Sequence, residues 1–121
     1  MTAYLLIAHG SRRAAANIEF QQQVEQVRQS LQLEPKQIQG CYLELCEPSI
    51  QQGLEILATQ GAQQIKVLPC FLNQGRHVAE DVPRDVREFM DANPELRIEI
   101  LPYLGSTQGY LQLVSSCLKQ H

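Results

Sequence analysis

The sequence predicts an α/β fold in three layers: a four-stranded parallel sheet, strand order 2-1-3-4, with helices on both faces. Three observations carry this. Short apolar runs alternate with longer amphipathic ones four times along the chain, a βαβαβαβα pattern. Each crossover between parallel strands must be right-handed, which distributes the helices over both faces. A length of 121 residues buries one core and not two, so residues 1–121 read as a single domain.

Tyr4-Leu5-Leu6-Ile7-Ala8 is the first strand by length and apolarity. A helix from Ala14 to Leu33 follows, with Ile18, Val24, Val27 and Leu31 at helical spacing, and Glu34-Pro35 ends it. The second strand runs from Ile38 to Leu45. Pro48-Ser49 opens the second helix, where a missing N–H costs nothing. Leu54, Leu57 and Ala58 form its inner face, Ile56 its margin, and Gly61 its C-cap. Strand three is Ile65 to Cys70, and the third helix covers Val78 to Asp91 with Pro83 in its first turns. Arg97 to Leu101 alternates as a fourth strand, and Gln108 to Lys119 forms the last helix.

Composition narrows the partners. Ten basic against thirteen acidic side chains leave a net charge of −3, whereas a non-specific nucleic-acid binder needs a basic face to displace counterions. Polar residues break every apolar run well short of the ~18 that a membrane helix requires. Met1-Thr2-Ala3 leads directly into a strand, which leaves no room for a signal peptide. Cys41, Cys46, Cys70 and Cys117 show no C-x-x-C spacing, so they read as reduced, small core residues of a cytoplasmic protein. Neither nucleic acid nor a membrane is an expected partner.

In an open parallel sheet, ligands bind beyond the carboxyl ends of the strands, where strand order reverses. Here that point falls between strands 1 and 3. The loop after strand 1 reads His9-Gly10-Ser11-Arg12-Arg13, and the loop after strand 3 reads Phe71-Leu72-Asn73-Gln74-Gly75-Arg76-His77. Two histidines far apart in sequence are thus expected on adjacent loops at one crevice. Glu44 and Glu47, at the end of strand 2, fall on the same rim. Two imidazoles and a carboxylate suit a divalent first-row metal, and imidazoles are proton acceptors near neutral pH. Arg12, Arg13, Arg76 and Arg84 lie near these loops and suit a substrate bearing carboxylates. Glu47 also reads as a helix-start acid, and His121 is terminal.

The stretches Leu5-Leu6-Ile7-Ala8-His9-Gly10-Ser11-Arg12, Glu44-Leu45-Cys46-Glu47-Pro48-Ser49 and Pro69-Cys70-Phe71-Leu72-Asn73-Gln74-Gly75-Arg76-His77, with Asp81-Val82-Pro83 trailing, resemble the small form of the class II chelatases. These are the sirohydrochlorin cobaltochelatase and ferrochelatase family. The likeness holds in order and spacing over essentially the whole chain, and the third stretch is the most specific.

The resemblance implies a chelatase-like fold and a homodimer, since longer relatives carry two such halves in tandem. It implies insertion of Co²⁺, Fe²⁺ or Ni²⁺ into a tetrapyrrole, the metal being substrate with no permanently bound cofactor. His9 and His77 would bind metal and accept pyrrole protons, with Glu44 orienting a histidine or relaying protons. Ser11, Arg12, Arg13, Gly75 and Arg76 would hold the macrocycle.

Rival chemistries fit less well. A histidine phosphatase places Arg directly before its His, where this chain has Ala8. A serine hydrolase needs a G-x-S-x-G elbow, which is missing. A non-catalytic metal or tetrapyrrole carrier would need the same residues as the enzyme.

Overall fold

The computed structural model describes residues 1–121, except for the side chain of His77. The strands are β1 (Thr2–Ala8), β2 (Ile38–Tyr42), β3 (Gln64–Pro69) and β4 (Arg97–Ile100). All neighbours pair parallel, in the order β2-β1-β3-β4. Four helices alternate with them: α1 (Ala14–Ser30), α2 (Ile50–Thr59), α3 (Arg76–Ala92) and α4 (Gln108–Gln120). Topology, order and element count are those the sequence predicts.

Alternation along the central strand splits the interior in two. On one face, Ala3, Leu5 and Ile7 of β1 join Ile65 and Val67 of β3 against Leu54 and Leu57 of α2 and Val82, Val86 and Phe89 of α3. On the other, Leu6 and Ile38 meet Val24 of α1, flanked by half-buried Phe20, Leu33 and Leu68. The second cluster is smaller because only α1 contributes a buried helix residue to it.

Several expected boundaries move. Helix α1 stops at Ser30 rather than Leu33, and of its four periodic apolar residues only Val24 is buried. Ile18, Val27 and Leu31 are exposed. Strand β2 ends at Tyr42, not Leu45: Leu45 takes a left-handed φ of 68°, and the chain turns through a cis Glu47–Pro48 bond. Pro48 therefore precedes α2 rather than starting it. Ser49 is the N-cap, its hydroxyl accepting from the Gln52 N–H while the Gln52 side chain accepts from the Ser49 N–H. Gln60 caps the helix, and Gly61 follows at φ 104°, the left-handed residue that ends many helices.

Helix α4 buries no residue at all, so Cys117 is exposed rather than part of a core. No helix of the described residues is long and apolar enough to cross a membrane.

Candidate functional site

Strands β1 and β2 keep hydrogen bonding past their ends. Leu43 N–H donates to Ala8 C=O at 2.8 Å and Glu44 N–H to His9 C=O at 3.1 Å. This carries His9 and Glu44 side by side onto the carboxyl rim. The turn after His9 needs glycine twice over. Gly10 has φ 91°, and a Cβ there would collide with the Glu44 carbonyl.

From the other side, Cys70 N–H donates to Ile7 C=O at 2.7 Å, holding the start of the β3 loop against the end of β1. Phe71 is thereby buried, 2% exposed, directly under the exposed imidazole of His9. The ring centroids are 4.5 Å apart. The loops after β1 and β3 meet at the switch point, as the sequence predicts.

Ser11 is fixed on both its backbone groups. Its N–H donates to Asn17 Oδ1 at 2.9 Å, and its carbonyl accepts from Asn17 Nδ2 at 2.8 Å. Its hydroxyl accepts from the Arg13 N–H at 3.0 Å. Behind Asn17, the buried Tyr42 hydroxyl donates to the Asn17 carbonyl at 2.6 Å. Burial raises the Tyr42 phenol above its ordinary value, which keeps that hydroxyl a donor near neutral pH. Arg12 and Arg13 are exposed where α1 begins.

Gly75 is the N-cap of α3, its carbonyl accepting from Ala79 N–H at 3.0 Å. Arg76, 95% exposed, lies 3.6 Å from Glu80. His77 is the second residue of α3, and its side chain, expected at the crevice, lies outside the described residues. Arg84 is not the open cation the sequence suggests: it pairs with Asp81 at 3.0 Å and Asp85 at 3.4 Å. Glu44 is exposed, its backbone tied to His9. Glu47 accepts from the Gln52 side chain at 3.3 Å at the start of α2, where a helix favours an acid. Among the described residues, no three His, Cys, Asp or Glu side chains cluster closely enough to cage a metal.

For three residues of this region the sequence gives no role: Phe71 and Asp81 stand only within the stretches that carry the resemblance, and Asn17 does not stand out at all. Phe71 looks like ordinary core, and only its place directly after β3 hints at a platform. Asn17 sits in a helix, where its type is usually unremarkable; the Ala14-Ala15-Ala16 run before it is the faint signal. Asp81, 8% exposed, is a buried carboxylate one helical turn beyond position 77.

The CbiX family model matches residues 3–121. The chain belongs to the CbiX family. Among relatives of this family member, the sirohydrochlorin ferrochelatase of Priestia megaterium is 29% identical over 98 residues, covering 81% of this chain and 36% of the relative. The sirohydrochlorin cobaltochelatase of Methanopyrus kandleri is 32% identical over 84 residues, covering 69% and 57%. The chain thus spans roughly a third to three-fifths of the length of these CbiX-like relatives. The crystal structure of a CbiX protein from Marinobacter aquaeolei VT8 superposes with a TM-score of 0.83 at 27% identity, over 99% of this chain and 96% of that one. The expected chelatase-like fold is therefore correct.

Proposed function

We propose that this chain inserts a divalent metal, Co²⁺ or Fe²⁺, into sirohydrochlorin, a step toward cobalamin or siroheme. One observation carries the reading. His9 stands exposed on a buried aromatic ring where the loops after β1 and β3 meet, in a chain of the CbiX family. The metal is a substrate, and no resident cofactor belongs to the reaction.

Insertion removes two N–H protons from the macrocycle and strips water from the cation. A neutral imidazole serves both ends: its lone pair takes a water's place on the metal and, freed when the metal passes to the ring nitrogens, accepts a proton those nitrogens give up. In this reading His9 and His77 share the work, and Glu44 relays protons to solvent. Arg12, Arg13 and Arg76, with the backbone at Ser11 and Gly75, receive the carboxylates of the ring.

A second copy of the chain completes the groove, and the exposed apolar residues of α4 supply the contact. The Priestia megaterium ferrochelatase, of which the matched 98 residues are only 36%, is long enough for two such units and supports two per working enzyme. The reducing cytoplasm suits four unpaired cysteines.

The test is an absorbance assay with sirohydrochlorin and each of Co²⁺, Fe²⁺ and Ni²⁺. Turnover with His9→Ala and His77→Ala inactive but folded supports the proposal. A stoichiometric spectral change without turnover indicates a carrier, and equal rates for parent and both variants overturn the site.

A further inference from the structure

We propose that Asn17 is a positioning residue for metal insertion, its carboxamide setting the loop that carries His9, Ser11 and Arg12. The inference rests on the functional reading above and adds to it a residue that touches neither metal nor ring.

The geometry is specific to an amide. Asn17 accepts from the Ser11 N–H at 2.9 Å and donates to the Ser11 carbonyl at 2.8 Å, so one side chain closes a ring with both backbone groups of one residue. Only a side chain with a donor and an acceptor at its tip makes both bonds.

Helix α1 makes this latch necessary. Its N-cap residue, Arg13, offers no side-chain hydrogen bond, and its first turn contains no acid. Ala14, Ala15 and Ala16 have no polar side chains with which to compete. Asn17 reaches back across that turn to fasten the chain entering it.

Asn17 is itself braced. The Tyr42 hydroxyl donates to its carbonyl at 2.6 Å, and the Tyr42 ring packs edge-on against Phe20 at 5.6 Å. From Tyr42 the chain passes to Glu44, whose N–H bonds His9 and whose carbonyl abuts Gly10. The loop 9–11 is thus held at one end by Glu44 and at the other by Asn17. Both restraints trace to the end of β2. A loop fastened at two points keeps its imidazole oriented, and removing one lets it drift off the Phe71 ring. Groups that orient a metal-binding imidazole typically matter about 10–100-fold, and Asn17 acts on His9 through the Ser11 backbone.

Asn17→Asp and Asn17→Leu separate positioning from mere stability. The aspartate keeps the bond from the Ser11 N–H but sets an anion against the Ser11 carbonyl. Near the start of a helix an acid is favourable, so its Tm stays at or above the parent's. The leucine removes both bonds.

The measurements are kcat and KM for Co²⁺ insertion into sirohydrochlorin, Tm, and hydrogen exchange at the Ser11 amide. The expected result is a fall in kcat of about tenfold in Asn17→Asp and more in Asn17→Leu, with KM for the tetrapyrrole raised most in Asn17→Leu, where the Ser11 backbone is released. Ser11 exchange accelerates in the leucine variant only. Variants that match the parent in kcat, or that lose activity only in proportion to lost folded protein, overturn the inference. A parent that fails to turn over, with its Ser11 amide protected, sinks the functional reading instead.

Discussion

The imidazole of His9 and the ring of Phe71 lie 4.5 Å apart, centroid to centroid, their planes inclined at 45°. One ring is exposed and the other is almost wholly buried. The contact joins the two loops of the switch point, and it gives an exposed imidazole a fixed floor. Tilted aromatic pairs contribute about 0.5–1.5 kcal/mol beyond the area they bury.

Phe71→Leu removes that floor while keeping an apolar side chain. The expected cost in stability is about 1–2 kcal/mol, below the 3–5 kcal/mol of a full Phe→Ala truncation. Metal insertion falls severalfold, because His9 is no longer held over the groove. Urea denaturation and the Co²⁺ assay read the two effects separately. Unchanged turnover in a destabilised variant would show that the ring contact is packing alone.

Gly10→Ala tests the turn itself. The new Cβ strikes the Glu44 carbonyl, and the residue must hold φ 91°; strained conformations of this kind cost about 1–3 kcal/mol. The backbone relieves the clash only by parting His9 from Glu44, whose 3.1 Å bond aligns them. Loss of insertion together with a Tm lowered by several degrees is expected. A variant with the parent's Tm and rate would mean the turn is slack.

The sheet was legible because buried parallel strands are short continuous apolar runs, and β1 and β3 are such runs. The crevice follows from strand order, which puts the loop of His9 beside the loop that runs from Phe71 to His77. What was not legible depends on partners that periodicity does not reveal. Ile18, Val27 and Leu31 share helical spacing with Val24, yet only Val24 meets the sheet, since glutamines fill much of the rest of α1. The sequence extends β2 too far because Leu43 and Leu45 continue its apolar pattern, while the left-handed φ at Leu45 leaves no mark in composition. Arg84 looked available for substrate because i+3 and i+1 pairing with Asp81 and Asp85 is a matter of rotamers.

The cysteines give a pH dependence. Burial pushes the Cys70 thiol up to about 11 from an ordinary 9.0, and burial pushes Cys41 further the same way. Below about pH 9 both thiols are protonated, folded or unfolded, and nothing is lost. Between about 9 and 11 the unfolded chain releases protons that the folded chain keeps, so stability falls as pH rises. The urea midpoint is expected to drop between pH 8 and pH 10.5, less so in a Cys41→Ala, Cys70→Ala variant. At pH 8 a thiol reagent reaches exposed Cys117 well before buried Cys41, with half-buried Cys46 and Cys70 between them. Equal reactivity of all four would contradict the burial.

Helix α4 carries the last prediction. Leu111, Val114 and Leu118 recur at i, i+3 and i+7, one stripe of a helix, and they are 56%, 39% and 74% exposed. Apolar residues so aligned and so bare are costly in water, about 1.5–3 kcal/mol for each large side chain left unburied. In the proposed homodimer a second copy covers the stripe. Leu111→Glu and Leu118→Glu then weaken self-association by about tenfold or more each, since 1.4 kcal/mol is a factor of ten. The protomer's own stability stays near the parent's, because α4 buries nothing within it. Light scattering after size exclusion distinguishes the outcomes. A parent that is dimeric, and a double variant that is monomeric with an unchanged fold, place the interface on this stripe. A parent that stays monomeric at high concentration removes the second copy from the functional reading, and the groove must then work within one chain.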